Sequence, residues 1–157
     1  MREIQFRGKD LKTGKWVYGY YVKHINATPY PISSDIEREK FINDHTEHHI
    51  FQDGFSDWGL PRNTVHYQVD PNTIGQYIGL KDKNSKEIYE GDIVDAWSGG
   101  SHAVLEVKWG NATAGFFLWK EKSALNWHLS GGHPNYRQET CEIIGNIHDN
   151  EELLENK

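Results

Sequence analysis

One cysteine, no long apolar run, no excess of basic residues and no internal repeat: these absences set the first limits on a chain of 157 residues. The single thiol, Cys141, excludes an intrachain disulfide and any zinc site built on several thiolates. It sits in ETCEIIGNI, which reads as a strand, where a cysteine serves as a small buried hydrophobe. No stretch approaches the roughly 20 apolar residues of a membrane-crossing helix, and MREIQFRGKD lacks the apolar centre of a secretory signal. The expectation is a soluble, unexported protein of a reducing cytoplasm. With 17 Lys and Arg against 23 Asp and Glu, the net charge is -6. Binding to a nucleic-acid backbone draws on a clustered basic face, so generic DNA or RNA binding is disfavoured.

What the chain does hold is aromatic side chains: six Trp and eight Tyr argue against disorder and for a core built from large rings. The length suits one domain or two small β modules. Apolar residues recur at period two in Ile4 and Phe6 and again in Trp16, Tyr18, Tyr20 and Val22, which predicts an N-terminal β-hairpin turning at Thr13-Gly14. Two prolines in ATPYPISS limit that segment to an edge strand or irregular chain. Residues 35–60 carry the weakest pattern. DIEREKF allows one helical turn begun by Ser34 or Asp35, and the rest reads as a mobile His-rich loop punctuated by Gly54, Gly59 and Pro61. TVHYQVD, 64–70, returns to strand.

From residue 71 the chain reads as a meander. IGQYIGL, the hairpin loop KDKNSK, then IVDAW, AVLEVKW, GFFLW, LNWHL and ETCEIIGNI are short apolar runs with no long helix between them, which indicates a small β-barrel. EELLE after Asp149 or Asn150 predicts a short C-terminal helix. The expected organisation is therefore mainly β: an N-terminal β region over 1–70, a barrel over 71–148 and a helix or tail over 149–157.

Three passages have residue types that chemistry could use. In YEGD, Glu90 and Asp92 lie two apart, as an acid and base sharing one strand face would. The competing structural role is a bent strand entry at Gly91, with the carboxylates accepting backbone N–H groups. No nucleophile, Lys or His stands in the motif to complete a catalytic set. In NDHTEHHIFQD, His45 and His49 would face one metal if both lay on a helix, but the acid does not directly follow the first His as in HExxH, and no third ligand stands out. Of the rings Trp97, Trp109, Phe116, Phe117, Trp119 and Trp127, most should pack inward, while one of Phe116 and Phe117 must face out. Trp97, Phe117 and Trp119 are the candidate contact residues, with Glu90 and Asp92 beside them. SGGS and SGGHP do not open a helix after a strand, so they read as hairpin loops and not as phosphate cradles.

In three places, MREIQFRGKDLKTGKWVYGYYV, VDPNTIGQYIGLKDKNSKEIYEGDIVDAW and CEIIGNIHDNEELLE, the sequence resembles the YopX family of phage and prophage proteins. Two positions depart from the family's middle motif, Ile78 in place of Thr and Asn84-Ser85 in place of Asn-Gly. A type I′ turn needs positive φ at both central residues, which Ser adopts less readily than Gly, so this hairpin should use a different or longer turn. The resemblance implies an SH3-like type for the barrel and no enzymatic activity. Together with the aromatic surplus it implies a non-enzymatic, cofactor-free binding or assembly module in the bacterial host cytoplasm. Its expected partners are its own copies and a host or phage protein, with no membrane. The alternatives are a nucleic-acid accessory factor using the barrel face and a metal-dependent hydrolase on the His45/His49 segment.

Overall fold

The period-two pattern of the first two dozen residues becomes two antiparallel strands in the computed structural model, which describes residues 3–28, 34–54, 57–60, 63–98, 100–111, 114–120, 125–129 and 141–155. By their contacts they form two compact units, one over Gln5–Ile74 and one over Gly75–Lys157 with the first four residues.

The N-terminal unit holds β1 (Phe6–Lys9), β2 (Trp16–Ile25), helix α1 (Asp35–Asp44), β3 (Thr46–Asp53) and β4 (Thr64–Gln68). The strands are all antiparallel, in the order β4-β3-β2-β1. Asp10 shapes the β1–β2 connection: its carboxylate accepts the Thr13 hydroxyl at 2.7 Å and the Thr13 N–H at 3.1 Å. The buried phase of β2 is the opposite of the one its large residues suggest. Val17 enters the core with Ile50 and Val69, while Tyr18, Tyr20 and Val22 face solvent. Gly19 is where β3 comes closest, because a Cβ there would run into the Phe51 carbonyl.

Residues 35–53, expected as one helical turn and then a mobile loop, are a ten-residue helix and an eight-residue strand. Ser34 caps α1, accepting the Glu37 N–H, and Asp35 and Glu37 place negative charge in its first turn. No α1 residue is buried, so apolar periodicity could not reveal it. β3 hides its alternation similarly, since only Ile50 of TEHHIFQD is fully buried. Most of ATPYPISS and the whole of SGGHP lie outside the described residues.

The C-terminal unit opens with β5 (Gly75–Lys81) and β6 (Glu87–Tyr89), an antiparallel pair. It continues with β7 (Asp92–Ser98), β8 (Ser101–Gly110), β9 (Gly115–Lys120), β10 (Leu125–His128) and β11 (Cys141–Asn146). These five run antiparallel in the order β10-β9-β8-β7-β11. They make an open sheet, not the closed barrel that the meander suggested. Among the described residues β10 pairs only with β9 and β11 only with β7, so the two ends of the order do not join. Val94, Ala96, Leu105, Val107, Phe116, Leu118 and Cys141 form the inner layer with Ile78 and Ile88. The expected short C-terminal helix is a single 3₁₀ helix, Glu151–Leu154, with Asn150 at its N-cap position but making no side-chain cap.

The connection between β5 and β6 is tied down from inside. Asp82 is 1% exposed; one carboxylate oxygen accepts the N–H groups of Asn84 and Lys86, each at 2.9 Å, and the other accepts that of Ile143 on β11 at 3.1 Å. The Lys83 N–H also reaches the Cys141 carbonyl at 2.9 Å. Ser85 takes φ 64°, and its N–H closes a turn on the Asp82 carbonyl at 2.9 Å. The departure at Asn84-Ser85 is thus absorbed by a three-residue loop whose last residue alone is left-handed.

Ser85→Gly should therefore raise stability by about 1 kcal/mol, because glycine relieves the left-handed cost and returns part of the gain as unfolded-state entropy. Asp82→Ala should lower it by about 3 kcal/mol, since it removes the shared acceptor of three backbone N–H groups. Urea unfolding of both variants checks the pair, and a stability order other than Ser85→Gly above wild type above Asp82→Ala contradicts the account.

Candidate functional site

Strand register decides which side chains can act together on the C-terminal sheet. Trp97 pairs with His102, Ile93 with Glu106, Glu106 with Trp119 and Lys108 with Phe117. Directly opposed residues share a face, so Asp95, Trp97, His102, Glu106, Lys108, Phe117 and Trp119 all lie on the side away from the core layer. The three candidate contact rings are thereby brought onto one face. Phe116, the other half of its pair, is buried and meets Trp109 edge-on at 5.0 Å between ring centres.

Trp97 is 53% exposed, and its ring lies 4.7 Å from that of His102, whose Nε2 is hydrogen-bonded to Asp95. Phe117 and Trp119 stand edge to face at 6.1 Å and 84°. Trp119 lines a cleft of about 330 Å³ together with Ile147, Glu151 and Leu154. Glu106 and Lys108 also line it, with the carboxylate and ammonium 3.1 Å apart. Lys120 and Glu155 complete the lining, so three carboxylates and two ammonium groups surround a small apolar surface. Such a cleft can hold an apolar side chain by burial while the charged rim selects its neighbours.

The remaining two candidates belong to another environment. Asp92 is 2% exposed and accepts the Tyr89 N–H at 2.8 Å. Glu90 accepts the Trp109 N–H at 3.3 Å. Between them Gly91 takes φ 81°, donates to the Val107 carbonyl and accepts from the Ile147 N–H, both at 2.9 Å. The YEGD acids therefore serve the strand entry. Cys141 is 2% exposed, and burial, with the charges of Asp82, Asp92 and Asp95, pushes its thiol up to about 12; at neutral pH it is an inert core residue.

The His45/His49 pair is separated by the fold. His45 ends α1, stacked on Phe41 at 4.0 Å with its Nδ1 2.8 Å from the Phe41 carbonyl, whereas His49 lies within β3. The i, i+4 spacing carries no helical meaning there. Sequence reasoning missed the cleft because Glu151 and Leu154 belong to a segment read as a helix or tail, and Ile147 stands at the end of the expected barrel next to it. Alternation in VLEVKW did place Glu106 and Lys108 on one face, and that was the available signal.

Among the described residues no helix is long and apolar enough to cross a membrane. The family model for YopX protein matches residues 5–155. A crystal structure of protein EF1440 from Enterococcus faecalis matches with a TM-score of 0.54 and 23% identity, covering 98% of this chain and 99% of that one. That likeness concerns the fold alone. No curated protein matches the sequence.

Burial pushes the Glu90 carboxyl above the usual range, and the backbone N–H groups of Trp109 and Gln76 pull the other way. An acid with a raised folded-state pKa holds its proton more tightly in the folded protein. Its contribution is full below the ordinary Glu value and is lost as pH rises through the raised one. Glu90→Gln keeps an acceptor for Trp109 and cannot ionise. It should be more stable than wild type at pH 7, with the gain vanishing near about pH 4; parallel urea melts across pH measure the difference, and a pH-independent difference contradicts it.

Proposed function

The chain belongs to the YopX family, and on that premise we propose that it is a phage- or prophage-encoded, non-enzymatic binding or assembly module. It acts through protein contacts in the cytoplasm of its bacterial host and associates with copies of itself. The observation that carries this reading is that Trp97, Phe117 and Trp119 lie on the same face of the sheet, with Phe117 against Trp119 where the latter lines the cleft. Large aromatic residues anchor protein interfaces because they bury much area at little rotamer cost, and a few such residues usually dominate the affinity. The charged lining of Glu106, Lys108, Lys120, Glu151 and Glu155 is mixed and slightly acidic, which suits a polypeptide segment better than a phosphate backbone.

Sedimentation of the purified chain should reveal concentration-dependent self-association. Trp119→Ala should weaken it by about tenfold or more, as truncation of a central aromatic anchor does, with only a small shift in melting temperature because Trp119 lies outside the core layer. A strict monomer, together with no protein captured by the tagged chain from phage-expressing host cells, would sink the proposal.

A further inference from the structure

The N-terminal sheet holds a second cluster, unrelated to the aromatic face. Its register pairs Val22 with His49 and His49 with Gln68, Phe51 with His66, and His24 with Glu47, so Glu47, His49 and His66 share one face. The His49 side chain is only 14% exposed, and its Nε2 lies 3.1 Å from the Glu47 carboxylate. A carboxylate only accepts, so Nε2 carries the ring proton; the Asn26 amide also donates to the Glu47 carboxylate, at 2.9 Å.

In the neutral ring, Nδ1 then presents its lone pair. That atom is buried and, among the described residues, makes no hydrogen bond. An unsatisfied buried acceptor is costly, and such an atom calls for an occupant. The nearby imidazole of His66 has its centre 5.5 Å from that of His49, inclined at 65°. Both rings line one cavity of about 340 Å³. Two imidazoles that share a tetrahedral ion, with nitrogens at about 2.0 Å, set their ring centres roughly 5 Å apart. The spacing fits.

We propose that His49 Nδ1 and His66 bind a borderline divalent cation of the zinc, nickel or copper type, with Glu47 orienting His49 through its other nitrogen. A carboxylate on the far side of a ligating imidazole is the usual support of such sites, fixing the tautomer and raising the basicity of the ligating atom. Imidazole donors favour these metals over magnesium or calcium. Among the described residues no group of three or more His, Cys, Asp or Glu could hold a metal ion, so water completes the coordination and the affinity falls short of a four-ligand structural site. His45, committed to the end of α1, takes no part.

The test is calorimetric titration of the tag-free full chain with Zn²⁺ and, separately, Ni²⁺, above the pH at which histidine is protonated. One saturable site is expected. His66→Gln, at an exposed position, should abolish it; Glu47→Gln should weaken it by about tenfold. His45→Gln should bind as wild type does. The proposal is overturned by the absence of saturable binding, by undiminished binding in a folded His66→Gln variant, or by loss of binding in His45→Gln.

Discussion

A carboxylate with no access to water must find donors, and in this protein Asp82 finds them in two places at once. Its oxygens gather the N–H groups of Asn84 and Lys86 in the β5–β6 loop and of Ile143 on β11. The first two fix the shape of a short loop; the third attaches that loop to an edge strand 61 positions along the chain. Among the described residues β11 pairs only with β7, and its register shifts between Ile143 and Gly145. The bond to Asp82 therefore falls where the ladder is least regular. Charge-assisted bonds of this kind are stronger than neutral ones, and burial raises the stake because a missing partner leaves an orphan. Ser85 can sit at positive φ because the loop around it is held from within.

The same strategy recurs on a smaller scale. Asp10 closes the β1–β2 loop through Thr13, Asp92 takes the Tyr89 N–H at the entry to β7, and Asp70 accepts the Asn72 N–H at the 3₁₀ turn before β5. A chain with short strands and modest cores settles its turns by carboxylates that satisfy the backbone locally. This is why acids that look like chemistry in the sequence are architecture in the fold. The residues offered outward are aromatic instead.

How far the sequence discloses all this depends on what each segment buries. The β7–β9 runs were legible because VLEV and FFLW commit alternate residues to one core layer, and the same alternation brought Trp97, Phe117 and Trp119 to the opposite face. α1 and β3 were illegible for the converse reason: the helix has no fully buried residue, and the strand has Ile50 as its single one. Closure of the sheet was misjudged because short apolar runs at regular spacing are common to barrels and open sheets. What separates them is whether the terminal strands pair, a long-range fact that no local pattern carries. Asp82 gave no sign either, since an acid in KDKNSK looks like any solvated loop residue.

Helix α1 has one more consequence. Held by Ser34 at one end and by the His45 and Thr46 contacts to Phe41 and Ile42 at the other, it contributes no side chain to a core. Its backbone bonds are opposed only by helix–coil entropy, and a ten-residue helix is marginal on that footing. The amide protons of 35–44 should trade with solvent through local fraying, orders of magnitude faster than those of β8, whose opening requires the inner layer of the sheet to separate. The helix is a segment that can melt and re-form while the strands on either side of it stay folded.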